Sequence, residues 1–278
     1  MLDITILSDV DNTLRNSVGE TNSDQLKPLL AELQQGNTIF GLLSDTSCDR
    51  LIDVAASFDI HSGPIIGERA QVVINGSPDT PIIFRPSLLT AVDYLKTYLP
   101  LLIDSRFKDI ATIHHLTDTY EDLSHAYSLV EKGKITIACY YLRHVSLSFF
   151  FFNPAYTKNP THDPLFIKFK QLLGWFLRQN NLQDFHVEDH EGEHYLQLIH
   201  SQAHKGSIIP WIVENYHPTR IVMIGDSMTD FLDAPDIIQC AVGNADPRYK
   251  ELCQIVAKAH YTAGVYECLK RALAMISH

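Results

Sequence analysis

The feature that most constrains the fold is a pattern found near both ends of the chain, in which a short apolar segment runs directly into a polar loop. The pattern occurs three times: Ile4 to Leu7 before Asp9, Thr38 to Leu43 before Ser44, and Arg220 to Ile224 before Gly225 and Asp226. Apolar segments of this length that alternate with helical patterns predict a parallel α/β sheet. Ligands bind such sheets beyond the carboxyl ends of the strands. We therefore expect these polar residues to meet at one edge of one sheet.

The middle of the 278-residue chain lacks this alternation. β-Rich runs such as Val145 to Phe152 stand beside amphipathic helical patterns such as Leu165 to Gln179, which is typical of an α+β module. The predicted fold class is therefore α/β. Residues 1–83 and 194–278 are predicted to form a Rossmann-like core, with a parallel sheet and helices on both faces. Residues 84–193 are predicted to form an α+β module inserted into this core.

The composition argues against several classes of function. The formal net charge of -11 does not suit a protein that grips nucleic-acid phosphates with clustered lysine and arginine. The five cysteines show no CxxC spacing, which favours a reducing cytoplasm over a disulfide framework. No basic stretch precedes the first apolar run, and the most apolar tract, Val145 to Phe152, is too short to span a membrane. We expect a cytoplasmic protein without a signal peptide, a nucleic-acid partner or a membrane partner.

The first candidate for chemistry is the string from Asp9 to Thr13, which reads Asp-Val-Asp-Asn-Thr and follows a predicted strand. Of its two carboxylates, Asp9 and Asp11, one can act as a nucleophile while the other exchanges protons with the leaving group. The structural alternative is an ordinary turn rich in Asp and Asn. The string alone leaves both interpretations open.

A second acidic string, Gly225 to Asp230, again lies at the end of a predicted strand. Its carboxylates, Asp226 and Asp230, are of the kind that bind Mg²⁺ together with water. The alternative is an Asx turn followed by a helix cap. Two single residues complete the set: Ser44, which by itself would be a turn residue, and Lys205, which by itself would be a surface charge.

The order of these four sites resembles that of the four motifs of the haloacid dehalogenase-like phosphohydrolase superfamily. Further segments resemble its branch of sugar phosphatases with a large α+β cap, which includes sucrose phosphatase and mannosyl-3-phosphoglycerate phosphatase. These segments are PIIGERAQVVING after the second motif, Ala241 to Cys253, and Thr262 to Leu269. The resemblance covers roughly residues 1–80 and 195–278, and for residues 84–193 it implies a large inserted α+β cap that sets substrate specificity.

The resemblance implies a role for each matched residue. Asp9 would form an aspartyl-phosphate, and Asp11 would act as general acid and base. Ser44 would hydrogen-bond the phosphoryl oxygens, and Lys205 would offset negative charge. The implied Mg²⁺ ligands are Asp9, Asp11 (through its backbone carbonyl) and Asp226, with Asp230 in support. The predicted substrate contacts are Ser44, Asp45, Lys205 and Asn244.

The sequence departs from the family pattern at three places. Asn12 stands where glycine is common, and Thr229 stands where the sugar-phosphatase branch usually has asparagine. After Ser44 the chain continues Asp-Thr-Ser, where many relatives have Gly-Arg. These departures leave each implied catalytic group in place, but they remove an arginine that would contact substrate.

The sequence thus predicts a Mg²⁺-dependent phosphatase acting on a small phosphorylated metabolite, with a sugar phosphate as the default. Four carboxylates and a phosphate need at least one divalent cation and one lysine to be tolerable together. The alternatives are a phosphomutase of the same design and a non-catalytic binding protein on the same fold. Either a monomer or a small homo-oligomer is compatible with the sequence.

Overall fold

The structure is a computed structural model that describes residues 3–16, 24–36, 38–158, 162–190 and 194–276. Its strands are, in chain order, β1 (Ile4–Ser8), β2 (Thr38–Leu43), β3 (Ile65–Gly67), β4 (Val72–Ile74), β5 (Ile82–Ile83), β6 (Ala111–Leu116), β7 (Ile135–Tyr140), β8 (Leu147–Phe152), β9 (Phe185–Asp189), β10 (Tyr195–His200), β11 (Arg220–Gly225), β12 (Ile237–Ala241) and β13 (Ile255–Val256). Its helices are α1 (Leu26–Gln34), α2 (Cys48–Ser57), α3 (Ser87–Phe107), α4 (Leu123–Ser128), α5 (Pro164–Gln179), α6 (Ile209–Tyr216), α7 (Pro247–Leu252) and α8 (Tyr261–Ile276). Among the described residues, no helix has the length and apolar character needed to cross a membrane.

The chain divides into two compact units. The first consists of Met1–Ile83 and His204–His278, and the second of Phe84–Ala203. The second boundary therefore lies at residues 203 and 204, whereas the sequence predicted 193 and 194. The difference arises because β10 pairs with β8 and β9, both of which belong to the second unit.

The first unit is built on an eight-stranded sheet with the order β13-β12-β11-β1-β2-β3-β4-β5. The strands from β13 to β3 run parallel, and β4 and β5 are antiparallel additions at one edge. All five residues of β1 are buried, which is typical of a central strand covered on both faces. Its last residue, Ser8, lies opposite Ile224 of β11 and Leu42 of β2. This register brings the ends of three strands side by side.

Helices α1, α2 and α8 pack against this sheet through their apolar faces. Leu26 and Leu30 of α1, Leu51 of α2, and Val265 and Leu269 of α8 are all fully buried in one core with the strands. Each such side chain contributes roughly 1.5–3 kcal/mol when it leaves water, which fixes the helices on the sheet. The predicted α/β fold class is confirmed.

The second unit contains a five-stranded sheet with the order β6-β7-β8-β10-β9. Four consecutive phenylalanines end β8, and successive side chains of a strand point to opposite faces. Phe149 and Phe151 contact Phe169 of α5, with ring centroids 5.7 Å apart in each pair. Phe150 and Phe152 lie in a separate cluster that includes a residue of α4. The phenylalanine run thus holds helices on both faces of this sheet.

Two polar contacts of the second unit are also buried. Arg143 is ion-paired with Glu121, and both side chains are almost fully buried. At the end of β10, the Nδ1 atom of His200 lies 2.8 Å from an Arg85 guanidinium nitrogen and accepts a hydrogen bond from the Gln202 backbone at 3.2 Å. Two donors on Nδ1 require that this nitrogen carry no proton.

Candidate active site

Three of the predicted site residues follow adjacent parallel strands. Asp9 follows β1, Ser44 follows β2 and Asp226 follows β11. The backbone N–H of Asp9 donates to the Ile224 carbonyl at 2.9 Å, and that of Ser44 donates to the Ile66 carbonyl at 2.9 Å. These bonds extend the ladders by one residue and fix both side chains at the carboxyl edge of the sheet. The expected meeting of distant segments therefore occurs here.

Lys205 lies at the centre of this edge, in a one-turn 3₁₀ helix (Lys205–Ile208) that precedes α6. Its Nζ atom donates to Asp9 Oδ1 at 2.7 Å and to Asp230 Oδ1 at 2.6 Å, and it lies 3.7 Å from Asp45 Oδ1. The residue is only 3% exposed. A buried lysine among three carboxylates is the opposite of a solvated surface charge, which was the alternative interpretation of Lys205.

Asp230 is held by its own loop as well as by the lysine. Its Oδ2 atom accepts from the backbone N–H groups of Asp226 and Ser227, each at 2.9 Å. This arrangement needs close approach to the strand end, because a Cβ atom on Gly225 would lie 2.4 Å from the Asp230 Cβ. Glycine at position 225 therefore lets Asp230 fold back over the end of β11.

The carboxylates of Asp9, Asp226 and Asp230 each offer an oxygen within 4.8 Å of the others. A hard divalent cation such as Mg²⁺ takes one or two protein carboxylates and keeps water in its other positions. Both Asp230 oxygens already accept hydrogen bonds, whereas Asp226 accepts one long bond from the Thr13 hydroxyl at 3.4 Å. The donor set therefore fits a cation held by Asp9 and Asp226, with Asp230 acting through Lys205 and the loop.

The electrostatics of the site also favour a cation. Burial raises the pKa of Asp9 well above its usual value; Lys205 lowers it, while Asp230 and Asp226 raise it further. Burial and the neighbouring Asp230 raise the pKa of Asp226 to about 7. Burial alone would lower the pKa of Lys205, but the charges of Asp230, Asp9 and Asp45 outweigh it and raise this pKa. One ammonium therefore does not fully compensate the carboxylates.

Asp11 lies apart from this cluster and is ion-paired with two arginines. Its Oδ1 atom lies 2.8 Å from Arg15 Nε, 2.7 Å from Arg15 Nη2 and 3.5 Å from Arg50 Nη2. The Asp11 side chain is 45% exposed, so it faces solvent beside the buried cluster. The next residue, Asn12, has φ of 59°, a left-handed conformation that asparagine tolerates better than most side chains. This explains how Asn12 occupies a position where relatives commonly have glycine.

Asp45 is ion-paired with Arg69, whose Nε lies 2.9 Å from Asp45 Oδ2. Arg69 belongs to a turn, Glu68–Ala70, in which all three residues have φ between 51° and 64°. Each such residue costs roughly 1–3 kcal/mol in the backbone, so the turn is held by its surroundings. Its backbone N–H groups at Glu68 and Arg69 donate to the carbonyls of Thr46 and Ser44. The strained turn thus braces the loop that follows β2.

Asn244, expected to contact substrate, has a structural role in this conformation. Its Nδ2 donates to the Asn12 carbonyl at 2.7 Å, and its Oδ1 accepts from the Tyr261 N–H at 2.9 Å. It therefore joins the loop after β1 to the start of α8. Ser44 is buried, and its Oγ lies 3.5 Å from the Thr46 nitrogen.

Sequence reasoning missed Thr13 and the three arginines at positions 15, 50 and 69. Arg15 carried one available signal, since it follows Asp11 by four residues and can fold back on it. Arg50 and Arg69 carried none, because their contacts depend on the paths of two loops.

Part of the chain is similar in sequence to a known phosphatase. No family model matches the chain. The chain is 32% identical over 94 residues to a phosphoglycolate phosphatase from Methanothermobacter thermautotrophicus. The match covers 32% of this chain and 42% of that protein, so the chain spans less than half of the curated relative.

Solved structures resemble nearly the whole chain. A haloacid dehalogenase-like hydrolase from Bacteroides thetaiotaomicron has a TM-score of 0.62 at 15% identity, with 98% of each chain covered. The sucrose-phosphatase of Synechocystis sp. PCC6803, solved with sucrose and phosphate, has a TM-score of 0.56 at 14% identity, with 98% of each chain covered. A trehalose-6-phosphate phosphatase related protein has a TM-score of 0.58 at 15% identity, covering 98% of this chain and 99% of its own.

These likenesses establish the fold. The chain has the fold of haloacid dehalogenase-like hydrolases, and the resemblance predicted from its motifs is confirmed at that level. Within this fold, its neighbours include proteins named as sugar-phosphate phosphatases.

Proposed function

We propose that this protein is a Mg²⁺-dependent phosphatase that hydrolyses a small phosphorylated metabolite through an aspartyl-phosphate on Asp9. The observation that carries the proposal is the contact of Lys205 with both Asp9 and Asp230 at the carboxyl edge of the sheet. A buried carboxylate oriented by an ammonium has the position that a nucleophile needs, and the ammonium favours its ionised form. Phosphoryl transfer depends mainly on such positioning and on charge neutralisation.

The proposed reaction has two steps. In the first, a carboxylate oxygen of Asp9 forms a bond to phosphorus as the bond from phosphorus to the alcohol oxygen breaks, and Asp11 gives a proton to that alcohol. In the second, water attacks the same phosphorus, Asp11 takes a proton from the water, and phosphate leaves Asp9. Asp11 serves both steps because it lies two residues from Asp9 and is partly exposed.

The other residues of the site orient or neutralise the charges of Asp9 and the phosphoryl group. Lys205 lowers the pKa of Asp9 against the effect of burial and orients its carboxylate, and the Ser44 hydroxyl donates to a phosphoryl oxygen. Asp9 and Asp226 would hold Mg²⁺, with the Asp11 backbone carbonyl as a further oxygen ligand. When bound, the ion would neutralise the negative charge that the phosphate brings to these carboxylates.

The proposed substrate is a phosphorylated sugar or sugar acid. Support comes from the names of similar proteins: a sucrose-phosphatase, a trehalose-6-phosphate phosphatase related protein and a phosphoglycolate phosphatase. The phosphorylated compounds to which these names refer are small phosphate monoesters. We further propose that the second unit selects among them, as expected from the sequence.

Phosphate release from a panel of sugar phosphates and phosphorylated hydroxy acids tests this function. The native chain should release phosphate with Mg²⁺ and not with a chelator. Asp9→Asn should lower the rate by at least about 10³-fold, because the nucleophile is lost while the fold remains. Asp79→Asn is the matched control, since Asp79 is exposed and lies in a turn.

Each alternative gives a different result. An isomeric sugar phosphate without free phosphate would identify a phosphomutase. A folded native chain that binds Mg²⁺ but converts none of the panel would favour a binding protein. Phosphate release that survives in Asp9→Asn would refute the assigned nucleophile.

A further inference from the structure

Arg50 lies beside Asp11, the residue proposed to give a proton to the leaving alcohol. It lies in the first turn of α2, and its side chain is 13% exposed. One guanidinium nitrogen, Nη1, donates to Thr46 Oγ1 at 3.3 Å, and the other, Nη2, lies 3.5 Å from Asp11 Oδ1. Arg50 therefore stands between the loop after β2 and the proposed acid–base carboxylate.

The place of Asp11 in the reaction fixes what lies near Arg50. If the proposed function holds, Asp11 must come within hydrogen-bond distance of the alcohol oxygen that leaves phosphorus. A group that contacts Asp11 is then close to the leaving alcohol. Asp9, Ser44 and Lys205 are buried, whereas the Asp11 side chain that Arg50 contacts is 45% exposed.

The two arginines on Asp11 differ in how tightly they hold it. Arg15 makes contacts of 2.8 and 2.7 Å to Asp11 Oδ1, which are the lengths of strong charge-assisted hydrogen bonds. The Arg50 contact of 3.5 Å is longer than such a bond. A second anion at a shorter distance would compete with Asp11 for Arg50, while Arg15 keeps Asp11 in place.

A carboxylate on the leaving alcohol is the anion that fits. Guanidinium presents a planar fork of N–H donors that matches a carboxylate with two parallel hydrogen bonds. A carboxylate one carbon beyond the alcohol oxygen, with one hydrogen bond to reach the arginine, spans roughly 6 Å from that oxygen. The path from the alcohol oxygen to Arg50 through the Asp11 carboxylate has a similar length. It consists of one hydrogen bond to an Asp11 oxygen, the width of the carboxylate, and the contact with Arg50.

We propose that Arg50 binds a carboxylate on the alcohol part of the substrate, so that the enzyme prefers phosphorylated hydroxy acids or sugar acids to neutral phosphorylated sugars. This inference rests on the proposed phosphatase function and narrows its substrate class. It assigns specificity to a residue outside the Asp-Thr-Ser sequence that replaces Gly-Arg after Ser44.

The test compares phosphoglycolate with 2-hydroxyethyl phosphate, which carries a neutral hydroxymethyl group in place of the carboxylate. In the native chain, kcat/KM should be higher for phosphoglycolate. Arg50→Gln should lower kcat/KM for phosphoglycolate about 10- to 150-fold, mainly by raising KM, as expected for loss of a hydrogen-bonded charge pair. Any loss that comes from the Arg50 contact with Asp11 should affect both substrates, so the same variant should lower kcat/KM for 2-hydroxyethyl phosphate by a clearly smaller factor than for phosphoglycolate.

Two further variants separate recognition from damage to the fold. Arg50→Lys should recover part of the preference, because it keeps the charge but lacks the fork. Arg271→Gln, on the exposed side of α8, should leave both substrates unaffected. The same comparison by calorimetry, in an Asp9→Asn background, measures binding where there is no turnover.

Equal losses for both substrates in Arg50→Gln would overturn the inference, since they would mean that Arg50 only supports Asp11 or the loop. A native chain that neither hydrolyses nor binds phosphoglycolate would also overturn it. Asp9-dependent release of phosphate from a neutral sugar phosphate would, in that case, leave the proposed function standing. Absence of phosphate release from every substrate would instead count against the function itself.

Discussion

Replacing Asp226 by asparagine should stabilise the metal-free protein while it abolishes metal binding. Burial and Asp230 raise the pKa of Asp226 from 3.8 to about 7. A carboxyl group whose pKa is raised in the folded state costs stability once it ionises. Asparagine has nearly the same shape and no charge, so it removes this cost.

The size of the effect follows from the pKa difference. At about 1.36 kcal/mol per unit, ionised Asp226 costs the folded state about 4 kcal/mol at pH 7. The Thr13 hydroxyl gives up a charged acceptor in the variant, and part of the carboxylate is screened by water, so we expect a net gain of about 2 kcal/mol.

The pH dependence has a defined sign. The native protein loses this stability as pH rises from about 4 through about 7, and the cost is absent when both the folded and the unfolded chain are protonated. The expected net advantage of Asp226→Asn should therefore shrink from about 2 kcal/mol at pH 7 to about 0.8 kcal/mol at pH 5.

Urea unfolding with a chelator present measures this advantage. The chain has two tryptophans, Trp175 in α5 and Trp211 in α6, so a Trp175→Phe background leaves a reporter in the first unit. Mg²⁺ at 100 times its dissociation constant should stabilise the parent by about 2.7 kcal/mol and the variant by much less. Asp79→Asn serves as the exposed control.

The reasoning would be refuted by an Asp226→Asn variant that unfolds at lower urea than its parent in chelator. It would also fail if the difference between the two did not depend on pH. Either result would mean that Asp226 is not a destabilised carboxylate awaiting a cation.

Three further predictions concern other buried ionisable side chains. Lys205→Met leaves two buried carboxylates without their cation and should cost about 3–5 kcal/mol in urea unfolding with chelator. Burial and Arg85 lower the pKa of His200. The stability that this neutral imidazole provides should therefore be lost as pH falls below 6.5. His200→Gln should remove that pH dependence, which amide exchange in β10 can measure. Glu121→Gln removes the carboxylate from buried Arg143 and should destabilise the second unit by about 3–5 kcal/mol, read from Trp175 fluorescence, whereas replacing both partners by methionine should cost less.

The sheet of the first unit could be predicted because each of its central strands is marked by a short stretch of neighbouring residues. β1, β2 and β11 are short apolar runs that end in polar residues, and parallel strands align those ends whatever their separation in sequence. The boundary at residue 203 could not be predicted in the same way. Whether β10 joins one sheet or the other depends on its antiparallel partners, which its own sequence does not specify.

The same distinction, between local patterns and contacts of distant elements, applies to the residues of the candidate site. Asp9, Asp226 and Lys205 could be named because each stands at a strand end or helix start within a recognisable order of motifs. Arg69 could not be named, because its position depends on a turn of three left-handed residues that contains no glycine or asparagine. Arg50 reaches Asp11 from a different element, which no spacing rule describes.

The position of β1 between β2 and β11 has a consequence for synthesis of the chain. Ile4 lies opposite Thr38 on one side and Arg220 on the other, so one edge of β1 waits for a partner more than 200 residues away. At roughly 5–20 residues per second, a ribosome needs roughly 10–40 s to supply it. The second unit, whose residues all emerge in that interval, can fold first. Until β11 arrives, the nascent chain carries an apolar strand with an open edge, which is where a chaperone would bind or aggregation would begin.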